Sequence, residues 1–345
     1  MTTRAPGHEA NSPRRRWPGA LVVFAVAVGL ALGVGGFIAV EGATRASGAA
    51  TDTASVTAAP VTTTTSDPTS ESVVAAAVGE PDDDAADATP GTDAVHTLTL
   101  TLYDADRDRT IRVTVITPDT AGRYPLVVFA HGYAASAATY AELETEIAEA
   151  GFVVAAPDFP RSSSAVTTNP QRDIAAQAID VSFVITALTD PAVTPDVAAS
   201  VDANRIGVIG HSDGAVTADG LGFNTAALDT RIGAVVSLSG GAFGFTGSWF
   251  TAADQPALLA IHGTDDEINP FSASQSLYTQ AAGPKMLVAV QGGSHLGPFT
   301  TDPTVGDVAT LTADFLHAHL SNAIDAQNRL AADASTGALT LITAG

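Results

Sequence analysis

Apolar and polar residues alternate with a short period at the start of the region that we predict to fold, which begins at His96. Leucines alternate with threonines over residues 98–102, and isoleucine and valine alternate with polar residues over 111–115. A period of two is typical of half-buried strands, so these stretches predict an antiparallel hairpin. Pro125–Ala130 is continuously apolar, which indicates a strand buried on both faces.

Further along the chain, buried strands and amphipathic helices are predicted to alternate. The pattern predicts strands over Phe152–Ala156, Arg205–Ile209, Ile232–Leu238, Pro256–Ile261 and Lys285–Val290, and helices over Tyr140–Ala150, Arg172–Leu188, Ser272–Ala282 and Val305–Leu320. Strand, helix and strand in this order form parallel βαβ units. Residues 96–320 are therefore expected to be one α/β domain, with a mostly parallel, doubly wound sheet and an N-terminal antiparallel hairpin.

The N-terminal region carries an export signal or a membrane anchor. Residues 1–20 are basic, and residues 21–40 are uncharged and apolar, close to the roughly 20 residues that span a bilayer. Basic residues before such a segment keep the N-terminus cytoplasmic, which places the rest of the chain outside. The small residues 47–50 would also suit a signal peptidase. We expect a protein tethered by its N-terminal segment to the extracellular side of the membrane, or secreted after cleavage.

Composition narrows the partners of this chain. Residues 41–95 are rich in Thr, Ala and Asp and predict a disordered linker, whereas the alanine-rich tail 321–345 has no role that its sequence assigns. There are no cysteines, so disulfides and thiolate metal sites are excluded. The net charge of −22 repels nucleic acid. No nucleic-acid partner is expected, and a monomer is the simplest state.

A glycine-flanked serine follows one of the predicted strands. Gly210-His211-Ser212-Asp213-Gly214 ends an apolar strand and precedes a stretch of small residues that can form a helix. This is the G-x-S-x-G pattern of a nucleophile elbow, in which a sharp strand-to-helix turn exposes the serine hydroxyl. Glycines are needed at both flanking positions because a Cβ there would crowd the strained turn. Ser212 is the candidate nucleophile.

A serine nucleophile requires a base and an acid that orients the base. After an elbow the chain order is serine, then acid, then histidine. His295 lies in a glycine-rich loop directly after the last predicted strand, which makes it the candidate base. The loop after the preceding strand contains Asp265, Asp266 and Glu267, and the His-Gly-x-x-Asp spacing from His262 selects Asp266.

The developing negative charge of an acyl-transfer reaction requires backbone donors. The amide of Asp213, directly after the nucleophile, is one expected donor, and the amide of Tyr133 in the loop after strand 125–130 is the other. The Asp213 carboxylate beside this oxyanion hole has no explanation in the sequence. Phe243 and Trp249 are candidates to line a substrate pocket.

The residues from Pro125 to Tyr133, from Gly210 to Gly214 and from His262 to Pro270, together with His295, resemble the α/β-hydrolase superfamily. The similarity is greatest to its branch of dienelactone-hydrolase-like enzymes, platelet-activating-factor acetylhydrolases and cutinase-like polyester hydrolases. The resemblance implies ester hydrolysis through an acyl-enzyme. Polyester hydrolases of this branch usually have Met directly after the nucleophile and Pro-Trp after the strand that follows the elbow. This chain has Asp213 at the first position, and its segment Leu238–Phe243 contains no Pro-Trp.

The sequence therefore predicts an exported serine ester hydrolase, similar to carboxylesterases and lipases, with the triad Ser212, His295 and Asp266. The chemistry needs no cofactor and no metal, and the partner is an ester substrate. A polyester hydrolase, an acyltransferase or peptidase with the same triad, and a non-catalytic surface binding protein are the alternatives.

Overall fold

The computed structural model describes residues 94–168, 170–300 and 303–342. The predicted basic terminus (1–20), the apolar segment (21–40) and all but the last two residues of the predicted linker (41–95) lie outside the described residues. Within the part of the chain that is described, no helix is long and apolar enough to cross a bilayer.

Nine strands and seven α-helices make up the described region. The strands are β1 (Val95–Asp104), β2 (Arg109–Pro118), β3 (Tyr124–Ala130), β4 (Val153–Asp158), β5 (Val201–His211), β6 (Ile232–Leu238), β7 (Ala257–Gly263), β8 (Lys285–Val290) and β9 (Leu339–Leu341). The helices are α1 (Ala141–Glu149), α2 (Ile174–Thr189), α3 (Pro195–Ser200), α4 (Asp213–Phe223), α5 (Ser272–Gln280), α6 (Val305–Leu320) and α7 (Ile324–Asp333). Short 3-10 turns cover Ala137–Tyr140 and Gly297–Phe299.

All nine strands belong to one sheet in the order β1-β2-β4-β3-β5-β6-β7-β8-β9. The six strands from β4 to β8 in this order pair in parallel, and β1, β2 and β9 are joined at the two ends by antiparallel pairing. The predicted N-terminal hairpin is confirmed, with Val95 opposite Pro118 and Asp104 opposite Arg109. The fold is that of an α/β hydrolase.

Helices cover both faces of the sheet, so the central strands are buried on each side. In β3, Leu126 and Val128 pack into the core formed with α2, α4 and α5, whereas Val127 and Phe129 pack into the core formed with α1 and α6. This double burial is the physical reason for the continuous apolar runs in the sequence. The carboxyl ends of the parallel strands lie at one edge of the sheet, where their loops can meet.

The segment after Leu320 is part of this sheet. Helix α7 packs on α6, where Arg329 forms an ion pair with Asp314 at 2.5 Å, and β9 pairs with β8. The ordered domain therefore continues past the predicted boundary at residue 320. Helix α3 was also not predicted, and α2 begins at Ile174, two residues after the predicted start.

Candidate active site

The serine of the elbow lies at a strained turn between β5 and α4. Ser212 has φ 56° and ψ −120°, a left-handed conformation that is rare for residues other than glycine. A Cβ on Gly210 would overlap the Gly214 carbonyl, and a Cβ on Gly214 would overlap the Ala130 carbonyl of β3. The two glycines therefore permit the turn that the sequence pattern predicts.

The structure brings the three residues of the predicted triad together. Nε2 of His295 lies 2.9 Å from Oγ of Ser212, and Nδ1 of His295 lies 2.7 Å from Oδ2 of Asp266. His295 is 83 residues from Ser212 and 29 residues from Asp266 in the chain, so the fold brings the three residues together. All three side chains are largely shielded from water, which strengthens hydrogen bonds between charged partners.

The acid loop after β7 separates the three candidate carboxylates. The Asp266 side chain is buried, whereas Asp265 and Glu267 are exposed. Oδ1 of Asp266 accepts hydrogen bonds from the amides of Ile268 and Asn269, at 2.8 and 2.7 Å. Glu267 contributes at longer range, because its carboxylate accepts the amide of His295 at 3.2 Å.

A second histidine contacts the same carboxylate. Nε2 of His262 lies 3.2 Å from Oδ2 of Asp266, and its Nδ1 lies 2.7 Å from the hydroxyl of Ser274. Burial raises the pKa of Asp266, but hydrogen bonds from His262, from His295 and from two amides outweigh it and hold the pKa well below its usual range. The carboxylate is thus ionised and can orient the imidazole of His295. In the sequence pattern, His262 is only the first residue of the His-Gly-x-x-Asp spacing, and its contact with Asp266 is a finding of the structure.

The loop after β3, which contains the predicted oxyanion donor, presents Tyr133 at the same edge of the sheet. Within the described residues, neither the Tyr133 amide nor the Asp213 amide donates a hydrogen bond to another protein group. The next amide in this loop, that of Ala134, donates to the Ser162 carbonyl at 2.7 Å and so fixes the position of the loop.

A directional chain of hydrogen bonds joins the loop after β3 to the loop of His295. The Gly132 amide donates to the Tyr140 hydroxyl at 3.3 Å, and that hydroxyl lies 2.8 Å from Nδ1 of His211. Nε2 of His211 lies 2.8 Å from the carbonyl oxygen of His295. Since a carbonyl can only accept, Nε2 carries the proton and Tyr140 donates to Nδ1. Burial lowers the pKa of His211 to about 3, so it is neutral.

The two predicted pocket residues lie in different places. Phe243 is exposed in the loop after β6 and rests near Gly241 and Ala273, at the carboxyl ends of the strands. Trp249 instead forms a bridge with Asn224, directly after the last residue of α4. Because α4 has 11 residues, that end is about 16 Å from Ser212 along the helix axis. The structure therefore does not bring Trp249 to the nucleophile, and its ring packs on Phe245 and Phe250.

Among the residues that the structure describes, no group of three His, Asp or Glu side chains could hold a metal ion. The His317 side chain on α6 instead contacts the backbone, because its Nε2 lies 2.7 Å from the carbonyl oxygen of Ala150.

The sheet order and the strand–turn–helix at Ser212 fit the fold of the α/β-hydrolase superfamily. A family model described as Chlorophyllase, which belongs to that superfamily, matches residues 89–248. The matched range is less than half of the chain; it includes the elbow and ends before the acid and histidine loops. The match supports ester hydrolysis in general terms. No curated protein matches the chain.

Proposed function

We propose that this protein is a serine ester hydrolase that acts through an acyl-enzyme. The observation that carries the proposal is the continuous hydrogen-bonded line from the Ser212 hydroxyl through His295 to Asp266, with contacts of 2.9 and 2.7 Å. A hydroxyl becomes a competent nucleophile when a base within this distance accepts its proton.

In the proposed mechanism, Oγ of Ser212 attacks the ester carbonyl carbon while Nε2 of His295 accepts the hydroxyl proton. The oxygen of the tetrahedral intermediate is held by the amides of Tyr133 and Asp213. His295 then protonates the departing alcohol, which leaves the acyl group on Ser212. Water attacks the acyl-enzyme with His295 again as the base, and the acid product leaves. Asp266 stabilises the imidazolium that forms twice in the cycle.

The surroundings of the nucleophile favour esters with apolar groups. Exposed apolar side chains occur in the loops that follow β3, β6, β7 and β8, at the edge of the sheet that holds Ser212; they are Tyr133, Phe243, Ile268 and Leu296. Contact with such side chains favours a substrate that loses apolar surface to water on binding. We expect kcat/KM to rise from acetyl to longer acyl esters of p-nitrophenol, and a falling series would contradict this expectation.

The location that we propose is outside the cytoplasm. The basic residues 1–20 followed by the apolar residues 21–40 support export, with the segment kept as an anchor or removed as a signal. Expression in the source cell followed by fractionation tests this. Activity in the washed membrane indicates the anchor, activity in the medium indicates cleavage, and activity confined to the cytosol would refute export.

Removal of one oxygen atom, that of the Ser212 hydroxyl, tests the proposed reaction. Ser212→Ala in the full chain should abolish hydrolysis of a short p-nitrophenyl ester and labelling by a fluorophosphonate. Ser335→Ala removes an exposed serine near the end of α7 and is the matched control, with both signals expected to persist. Residual hydrolysis by a folded Ser212→Ala protein at more than about one part in 10³ of the wild-type rate would refute the assignment.

A further inference from the structure

Arg172 and Asp213 form a charge pair at the mouth of the proposed site. Asp213 directly follows Ser212, and its side chain is only 3% exposed, whereas the side chain of Arg172 is 56% exposed. Nε of Arg172 lies 2.9 Å from Oδ2 of Asp213, an ion-pair distance without the alignment of a hydrogen bond. This contact places a cation on the carboxylate for which the sequence offered no role.

The same arginine contacts the other side of the proposed oxyanion hole. Its guanidinium lies 5.9 Å from the centre of the Tyr133 ring, within the range of a cation–π interaction. The Tyr133 hydroxyl donates to the Pro170 carbonyl at 2.9 Å, two residues before Arg172 in the chain. Arg172 is therefore held next to both residues whose amides would bind the oxyanion.

A lone carboxylate at Asp213 would oppose the reaction. Negative charge develops on the substrate oxygen in the transition state, and a fixed negative charge nearby raises the energy of that state. Other charged groups near this carboxylate do not substitute for Arg172. In the proposed reaction His295 gains a positive charge when it accepts the Ser212 proton, so its charge is not a permanent partner of Asp213. Asp173, which follows Arg172 in the chain, is an acid and is paired with Arg109 at 2.8 Å.

We infer that Arg172 is a positioning residue for the proposed reaction, which keeps the Asp213 carboxylate electrically compensated beside the oxyanion hole. The inference rests on the proposed function. It explains how a buried acid can directly follow the nucleophile, because the transition state faces a neutral pair in place of a net negative charge.

The size of the effect follows from the distance dependence of charge interactions. At an effective dielectric constant of about 20, one unit charge about 12 Å from the oxyanion changes the rate by about tenfold, and a closer charge changes it by more. Burial raises the pKa of Asp213 even with Arg172 in place, so an uncompensated carboxylate would take up a proton more readily. The rate of an Arg172→Gln variant should therefore decline as rising pH ionises Asp213.

A mutant cycle in the full chain separates charge compensation from other roles of the arginine. We expect Arg172→Gln to lower kcat about tenfold with little change in KM, and Arg172→Lys to retain most of the activity because it keeps the charge. In the Asp213→Asn background, Arg172→Gln should cost less than about twofold, and the added pH dependence should disappear. Arg112→Gln, which removes an exposed arginine that pairs with Asp158 at 3.5 Å, is the matched control.

An equal loss from Arg172→Gln in both backgrounds would overturn the inference, since the arginine would then act through Tyr133 or through direct contact with substrate. Thermal melting identifies any variant that loses activity by unfolding, and Arg172→Lys still tests the charge if Arg172→Gln does not fold. The outcome is separate from the test of the reaction. Hydrolysis that is independent of Ser212 refutes the proposed function, whereas Ser212-dependent hydrolysis without rescue by Asp213→Asn refutes only the role of Arg172.

Discussion

Asp219 provides the clearest link between a buried group and the stability of the whole domain. It lies in α4, seven residues after Ser212, and its side chain is fully buried. Oδ2 accepts hydrogen bonds from the Ser237 hydroxyl and the Gly241 amide, each at 3.0 Å. Among the described residues no group pairs with Oδ1. Burial raises the pKa of Asp219 from 3.8 to about 8, and the two hydrogen bonds oppose this only in part.

The sign of the pH dependence follows from proton binding. Between pH 4 and 8 the folded protein keeps the Asp219 proton while the unfolded chain loses it, so the free energy of unfolding falls as pH rises. Each pH unit is worth about 1.4 kcal/mol, and the full span costs up to about 5 kcal/mol. Asp219→Asn removes this cost but leaves an unpaired buried amide group, which costs about 1 to 3 kcal/mol. The variant should be less stable than wild type near pH 4 and more stable near pH 8.

The measurement is urea unfolding of the wild type and Asp219→Asn at pH values from 4 to 8. The difference in unfolding free energy should rise across this range and change sign within it. Asp325→Asn, at an exposed position in α7, is the matched control and should track the wild type. Glu144, whose pKa burial raises in the same direction, affects both proteins equally and cancels in the difference. Parallel stability curves for the wild type and Asp219→Asn would refute the reasoning.

Three further predictions follow from the site and the fold. His262→Asn removes a hydrogen bond to the ionised Asp266 and should lower kcat/KM about tenfold in an ester assay; an unchanged value in a folded protein would contradict a positioning role. Gly214→Ala places a Cβ on the Ala130 carbonyl and should destabilise the domain by about 3 kcal/mol or more, so a melting temperature equal to the wild type would contradict the geometry of the turn. Truncation after Leu320 removes α7 and β9 and exposes the edge of β8, so we expect a lower melting temperature and aggregation, and a stable monomer would show that the tail is dispensable.

The strands of this fold were predictable because burial on two faces leaves a strong mark on a sequence. The run Ile232–Leu238 coincides with β6, and Lys285–Val290 coincides with β8. Helix α7 leaves no such mark, because Ala326 is its only fully buried residue. Strand β9 has three residues, too few for a period to be visible. Its place is determined by pairing with β8, which is a property of the fold and not of the segment.

In the candidate site too, some residues are predictable from local sequence, and others are brought in only by tertiary contact. A nucleophile elbow has local backbone requirements, so Gly210 and Gly214 mark it in the sequence. The preference for Asp266 over Asp265 rested on spacing, and the structure adds which of the two carboxylates is buried against His295. Arg172 belongs to no motif, and only tertiary contact brings it to Asp213 beside the proposed oxyanion hole. Charge compensation between residues 41 positions apart cannot be inferred from either residue alone.

The histidine inside the elbow shows why residue type alone does not assign a role. The ring centres of His211 and His295 are only 4.7 Å apart. Burial lowers the pKa of His211 to about 3, so His211 stays neutral next to His295. A proton on His211 would repel the imidazolium that forms on His295 in the proposed cycle. The Tyr140 hydroxyl occupies Nδ1 of His211 as a donor, so the hydrogen-bond chain is complete only in the neutral form. Burial and hydrogen bonding thus keep His211 neutral, which leaves the proposed proton transfer to His295, and His211 connects the loop of His295 to the loop after β3.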